Sequence, residues 1–163
     1  MTEIRNTSKN KRDVLLLVIL FLLVGLVYLA FQLFVFSGDQ QVANIYYGSS
    51  TDPIVTIDFV NFEVTKRYNQ PVPEGYGSFP VIDLDNQTIT LLGDYTIGGV
   101  RQIVVIKYTF ATGEHRGSVE IIEEQSPNNI CSREGVSTGK PLICLPNRIR
   151  VEFGTNDNED FVV

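Results

Sequence analysis

The sequence predicts an all-β domain, a small antiparallel barrel or sandwich, carried behind one N-terminal transmembrane α-helix. Three observations carry the prediction. Val14 to Phe36 is a run of 23 residues without a charge. From Ile54 onward, short runs rich in Val, Ile, Thr and aromatic residues alternate with Gly, Pro, Asn and Asp, the texture of strands and turns. No segment of helical period and useful length follows Phe36.

Residues 1–13 (MTEIRNTSKNKRD) are polar and read as a disordered cytoplasmic tail. At ~1.5 Å per residue the run 14–36 reaches roughly 34 Å as a helix, enough for a hydrocarbon core of about 30 Å. It is longer than the apolar region of a cleaved secretory signal, about 7–15 residues, and no A-x-A pattern marks a cleavage site. It is also apolar on every face, unlike a core helix of a soluble domain. Arg5, Lys9, Lys11 and Arg12 precede the span, and Asp39 and Asp52 are the first charges after it. Because Lys and Arg stay on the cytoplasmic side, the expected protein is a single-pass signal-anchor in the cell membrane. Its N-terminus is inside and everything from residue 37 is extracytoplasmic.

The whole chain has a net charge of −6. Beyond the span stand 17 acidic and 9 basic residues, a net of −8. Such a surface repels nucleic acid and anionic lipid, which excludes nucleic acid as the expected ligand.

Residues 37–53 read as a linker, with Gly38, Gly48, Ser49, Ser50 and Pro53; inside it, Val42 to Tyr47 suits either a strand or a last helical turn. The β-domain is expected over 54–154. Strands are predicted at Ile54 to Val60 and Phe62 to Tyr68. A loop follows from Gln70 to Pro80, which holds Pro71, Pro73, Gly75 and Gly77. Short extended segments follow at Pro80 to Leu84 and Thr88 to Leu92, with Asp85–Asn86 turning between them. Gly93–Asp94 and Gly98–Gly99 mark further turns. Val100 to Phe110 is the strongest strand signal. It forms a hairpin with Ser118 to Glu123 across the polar turn 111–117. Residues 155–163 read as a disordered acidic tail.

Ser126 to Phe153 carries a distinctive pattern. Pro127 is followed by Ile130–Cys131, then Gly135, the turn Gly139 to Pro141, and Ile143-Cys144-Leu145-Pro146-Asn147 ahead of a last strand. This resembles NusG domain II, an all-β module found inside some bacterial NusG factors and as free-standing membrane-anchored domains in bacteria. The pattern covers about the last third of the domain; residues 54–123 match only loosely in strand pattern. Family members often carry a further Cys before the Pro, where this chain has Ser126, so a three-Cys ligand set is absent. The resemblance implies a partner in a membrane or envelope assembly, in some cases near surface electron-transfer components. It does not imply transcription-factor activity, since neither a NusG N-terminal domain nor a KOW-type segment is visible.

The residues themselves leave the two cysteines open among three states. With 12 residues between Cys131 and Cys144 and an outside location, a structural disulfide is the first expectation. A redox-active pair and packed, reduced thiols are the alternatives; no C-x-x-C is present. Metal binding is not expected, because two Cys and a distant His115 do not fill a four-ligand site. His115 reads as an exposed bystander in a charged turn. No G-x-S-x-G and no phosphate-binding Gly loop occur. Glu120, Glu123 and Glu124, with Asp83 and Asp85, read as a solvated acidic face. Arg148 and Arg150 alternate with Ile149 and Val151 and are expected on one face of the last strand, pairing with those carboxylates or docking an acidic partner. No catalytic residue and no cofactor is predicted. The expected function is a non-enzymatic, anchored binding domain, with a thiol-redox carrier using Cys131 and Cys144 as the alternative.

Overall fold

The computed structural model describes residues 6–35, 41–113 and 115–155. The chain divides into two units, Met1–Gly38 and Asp39–Val163.

The first unit contains one helix, α1 (Asn6–Val35, 30 residues). Its stretch Arg12–Ala30 has a mean hydropathy of 2.8, and none of it is buried within the protein. The helix is long and apolar enough to cross a membrane. It starts earlier than the apolar run: residues 6–13, expected as disordered tail, belong to the helix. Nothing between Asn6 and Asp13 breaks a helix, and extending an existing helix costs far less than nucleating one. Phe36, the expected end of the span, lies outside the described residues.

The second unit is built from nine strands: β1 (Val42–Tyr47), β2 (Val55–Asp58), β3 (Glu63–Lys66), β4 (Val81–Asp83), β5 (Thr88–Ile97), β6 (Val100–Thr109), β7 (Ser118–Glu123), β8 (Leu142–Cys144) and β9 (Ile149–Gly154). They form two antiparallel sheets, ordered β3-β2-β1-β9-β8 and β4-β5-β6-β7. Alternating side chains of both sheets meet in one core. Ala43, Ile45, Val55, Ile57, Ile149 and Val151 come from the first sheet; Ile89, Leu91, Val104, Ile106, Val119 and Ile121 come from the second. The domain is therefore a sandwich rather than a closed barrel.

The position of β1 corrects the expected linker. Val42 to Tyr47 is the central strand of the five-stranded sheet, paired with β2 on one side and β9 on the other. The Gln41 N–H donates to the Gly154 carbonyl at 2.9 Å, so the domain already includes residue 41 and does not start at 54. The physical reason is burial. Val42, Ala43 and Ile45 are at most 6% exposed, and a six-residue run that is apolar except for Asn44 gains more as a central strand than as a tether. The expected acidic tail lies outside the described residues except for Thr155.

β5 also runs past its expected end. Rather than turning at Gly93–Asp94, it continues to Ile97 through a register shift between Leu92 and Thr96. The turn to β6 is made by Gly98 and Gly99, with φ of 59° and 81°; both residues of a tight two-residue hairpin turn need positive φ, which glycine adopts without strain.

Candidate functional site

Cys131, Cys144 and Asn147, singled out in the sequence, gather around β8 and the β5 bulge. Cys131 and Cys144 are joined by a disulfide, with Cα atoms 5.2 Å apart. Cys131 opens a single 3₁₀ turn (Ser132–Glu134) and Cys144 ends β8. Both are almost fully buried, at 1% and 0% exposure. A solvent thiolate cannot reach either sulfur without local opening.

Beside the disulfide lies Glu124, 3% exposed. This corrects the expected solvated acidic face for Glu124 alone; Glu123 and Asp85 are exposed, and Glu120 and Asp83 are half-buried. Glu124 Oε1 accepts the Cys131 N–H at 3.1 Å, and Oε2 accepts the Asn147 amide at 3.5 Å. Glu124 follows β7, where the apolar alternation of Val119 and Ile121 gives way to Ile122 and Glu123, both outward-facing. Its carboxylate oxygen and the two sulfurs lie within 4.8 Å of one another. Metal coordination by cysteine requires thiolates, and here the sulfurs are bonded to each other, so the oxidised trio does not form a metal centre.

Asn147 links this cluster to the other sheet. It is fully buried. Its amide nitrogen also lies 3.3 Å from Cys144 Sγ, and its Oδ1 accepts the Tyr95 N–H at 3.3 Å. It packs so closely on Gly93 that a Cβ there would sit 2.0 Å from Oδ1. Gly93 is thus required by a close approach, not by a turn. The irregular backbone of β5 is satisfied by side chains. The Leu92 N–H donates to Gln70 Oε1 at 3.0 Å, the Gln70 amide returns a bond to the Leu92 carbonyl, and Arg101 Nε donates to the Gly93 carbonyl at 2.7 Å. Gln70 is itself 3% exposed. The sequence places Glu124, Gln70 and Asp94 only in an acidic face, a loop and a turn, since nothing local distinguishes them from other polar residues there.

Asp94 is a second hub. It pairs with Arg101 at 2.5 Å and Arg148 at 3.3 Å, and accepts the Tyr47 hydroxyl. Burial and the Asp94 hydrogen bond raise the Tyr47 pKa above its ordinary value. Arg150 pairs with Glu152 at 2.8 Å, donates to the Ser50 carbonyl at 2.8 Å and lies 4.2 Å over the Tyr46 ring. The expected geometry of the two arginines is corrected in two respects. Arg148 precedes β9 in the left-handed conformation, φ 52°, so it does not share the pleat of Arg150. Their carboxylate partners are Asp94 and Glu152, not the Asp83–Glu120 group. Both nevertheless line one open cavity of about 360 Å³, together with Gly48, Ser49, Ile143, Cys144, Leu145 and Ile149.

The remaining motif residues divide by role. Pro127, Ile130, Pro141 and Leu145 are exposed; Gly139 and Pro146 are half-buried. Gly135 adopts φ 70° after the 3₁₀ turn, which explains a glycine there. Ser126 is buried, and its hydroxyl has no hydrogen-bond partner among the described residues. His115 is exposed in its turn.

No protein-family model, curated protein or solved structure matches this chain.

Proposed function

We propose that the chain is a single-pass membrane protein whose β-sandwich serves outside the cytoplasm as a non-enzymatic module that binds another membrane or envelope protein. The carrying observation is the apolar helix: its stretch Arg12–Ala30, 19 residues, has a mean hydropathy of 2.8. Lipid is the solvent that such a surface requires. The basic residues Lys9, Lys11 and Arg12 at its N-terminal end favour that end inside. A disulfide suits an oxidising exterior.

The polar clusters support binding over catalysis because their groups are engaged in folding. Glu124 is held by Cys131 and Asn147, and Asp94 is shared by Tyr47, Arg101 and Arg148. The thiol-carrier alternative is disfavoured by the burial of both sulfurs. The resemblance of the Ser126 to Phe153 stretch to NusG domain II adds an expectation of a bacterial membrane assembly, in some relatives near surface electron transfer.

The test is protease treatment of whole cells. The sandwich should be cut from intact cells while an internal marker survives. Protection until the cells are opened would overturn the orientation and with it the choice of partner.

A further inference from the structure

We propose that the cavity beside β8 is a docking groove for an extended, acidic segment of a partner protein carrying an apolar residue next to its carboxylates. The inference rests on the binding-module reading and names the surface and partner chemistry within it.

The groove has three properties. Its ionisable lining consists of Arg148 and Arg150, with no carboxylate among the lining residues. That sign is opposite to the net −8 of the sequence beyond the span. Arg148 is 56% exposed at its side chain and holds Asp94 only at 3.3 Å, so its guanidinium has donors available to a second carboxylate. Arg150 is held in place by Glu152, Ser50 and the Tyr46 ring, a pre-set orientation that lowers the ordering cost of binding.

The apolar side of the groove is also exposed. Ile143 is 52% and Leu145 77% accessible, although both belong to a segment stapled by the disulfide. Large apolar side chains on a rigid, covalently fixed segment match the anchors of a binding surface. β8 is the edge of its sheet, and Ile143 stands opposite Arg150 in the β8–β9 pair, so the apolar and cationic groups lie side by side in the cavity.

Ile143 and Leu145 line the same cavity as the two arginines, and this apolar pair favours a protein segment with an apolar residue over a lone phosphate.

The experiment uses the full-length protein in intact cells. A photo-reactive amino acid replaces Leu145 in the groove, or Lys107, which is exposed on β6 of the other sheet, and captured segments are identified by mass spectrometry. The expected result is capture from position 145 of a partner segment with carboxylates beside an apolar residue. Combination with Arg148→Gln should lower that capture about tenfold, as loss of a charge pair does, and Arg148→Lys should restore most of it. Melting temperatures of the variants confirm folding. Capture from 107 but not from 145 overturns the groove and leaves the binding module standing. So does capture from 145 of a lipid, of a second copy of this chain or of a segment lacking acidic residues, or capture indifferent to Arg148→Gln. Capture from neither position overturns both.

Discussion

The Cys131–Cys144 bond joins a loop of sequence separation 13, and removing it tests whether the sandwich depends on this staple. In the chain-entropy model, closing a loop of this length restricts the unfolded chain by about 3 kcal/mol. Replacing both cysteines by alanine also removes two buried sulfurs, which adds about 1 kcal/mol of lost apolar burial. The total, about 4 kcal/mol, is a large share of the roughly 5–15 kcal/mol typical of a folded domain. For a sandwich of this size it corresponds to a fall in Tm of about 15 °C. The assay is thermal melting of the full-length protein in detergent micelles, followed by near-ultraviolet circular dichroism of its 7 tyrosines, as the sequence has no tryptophan. Single and double alanine variants should melt within a few degrees of one another, because either one breaks the bond. A double variant that melts within about 2 °C of the parent would refute the assignment of loop entropy to this bond.

Three further outcomes are expected. Gly93→Ala should destabilise by about 1–3 kcal/mol, since its methyl overlaps Asn147 Oδ1 in a packed core; chemical denaturation measures this, and an unchanged midpoint contradicts the close approach. Glu124→Leu should cost about 1–3 kcal/mol by leaving the Cys131 N–H unpaired and taking the carboxylate acceptor from the Asn147 amide, whereas Glu124→Gln, which keeps an acceptor, should cost less than the Leu variant. Asp83 accepts bonds from the Asn86 backbone and side chain, which hold its carboxyl below the ordinary carboxylate value. A depressed folded pKa contributes stability above the unfolded pKa and loses it as pH falls through the folded value. Asp83→Asn should therefore melt lower than the parent at pH 7, with the difference closing in acid; a gap that persists below the folded pKa is the contrary result.

Much of the strand plan was legible because alternation reports a half-buried pleat directly. Val104, Ile106 and Tyr108 on β6, and Val119 and Ile121 on β7, face the core in the pattern their spacing implies. The misread segments share a different cause. Val42 to Tyr47 suits a strand by its residues but stands in a stretch that reads as linker because Gly and Ser surround it, and its partner β9, with Val151 opposite Ile45, lies far along the chain. Arg148 was placed on the pleat of Arg150 by simple alternation, which fails where a 3₁₀ turn ends in a left-handed residue. Gly93 looked like a turn former, while its role is to admit a side chain from 54 residues later.

The sequence by itself determined what depends on composition and local period. A helix uncharged over 23 residues must find lipid or a large apolar cover, and β-branched residues alternating with polar ones must pair as strands. Only the tertiary structure decided which polar groups are buried and who satisfies them. It brought Glu124 from the end of β7 against a disulfide, turned Asn147 onto the β5 bulge and gathered Tyr47, Arg101 and Arg148 around Asp94. Those choices depend on contacts between residues distant in the chain, and the cost of leaving a buried donor or acceptor unpaired is set only once the two sheets have closed on each other.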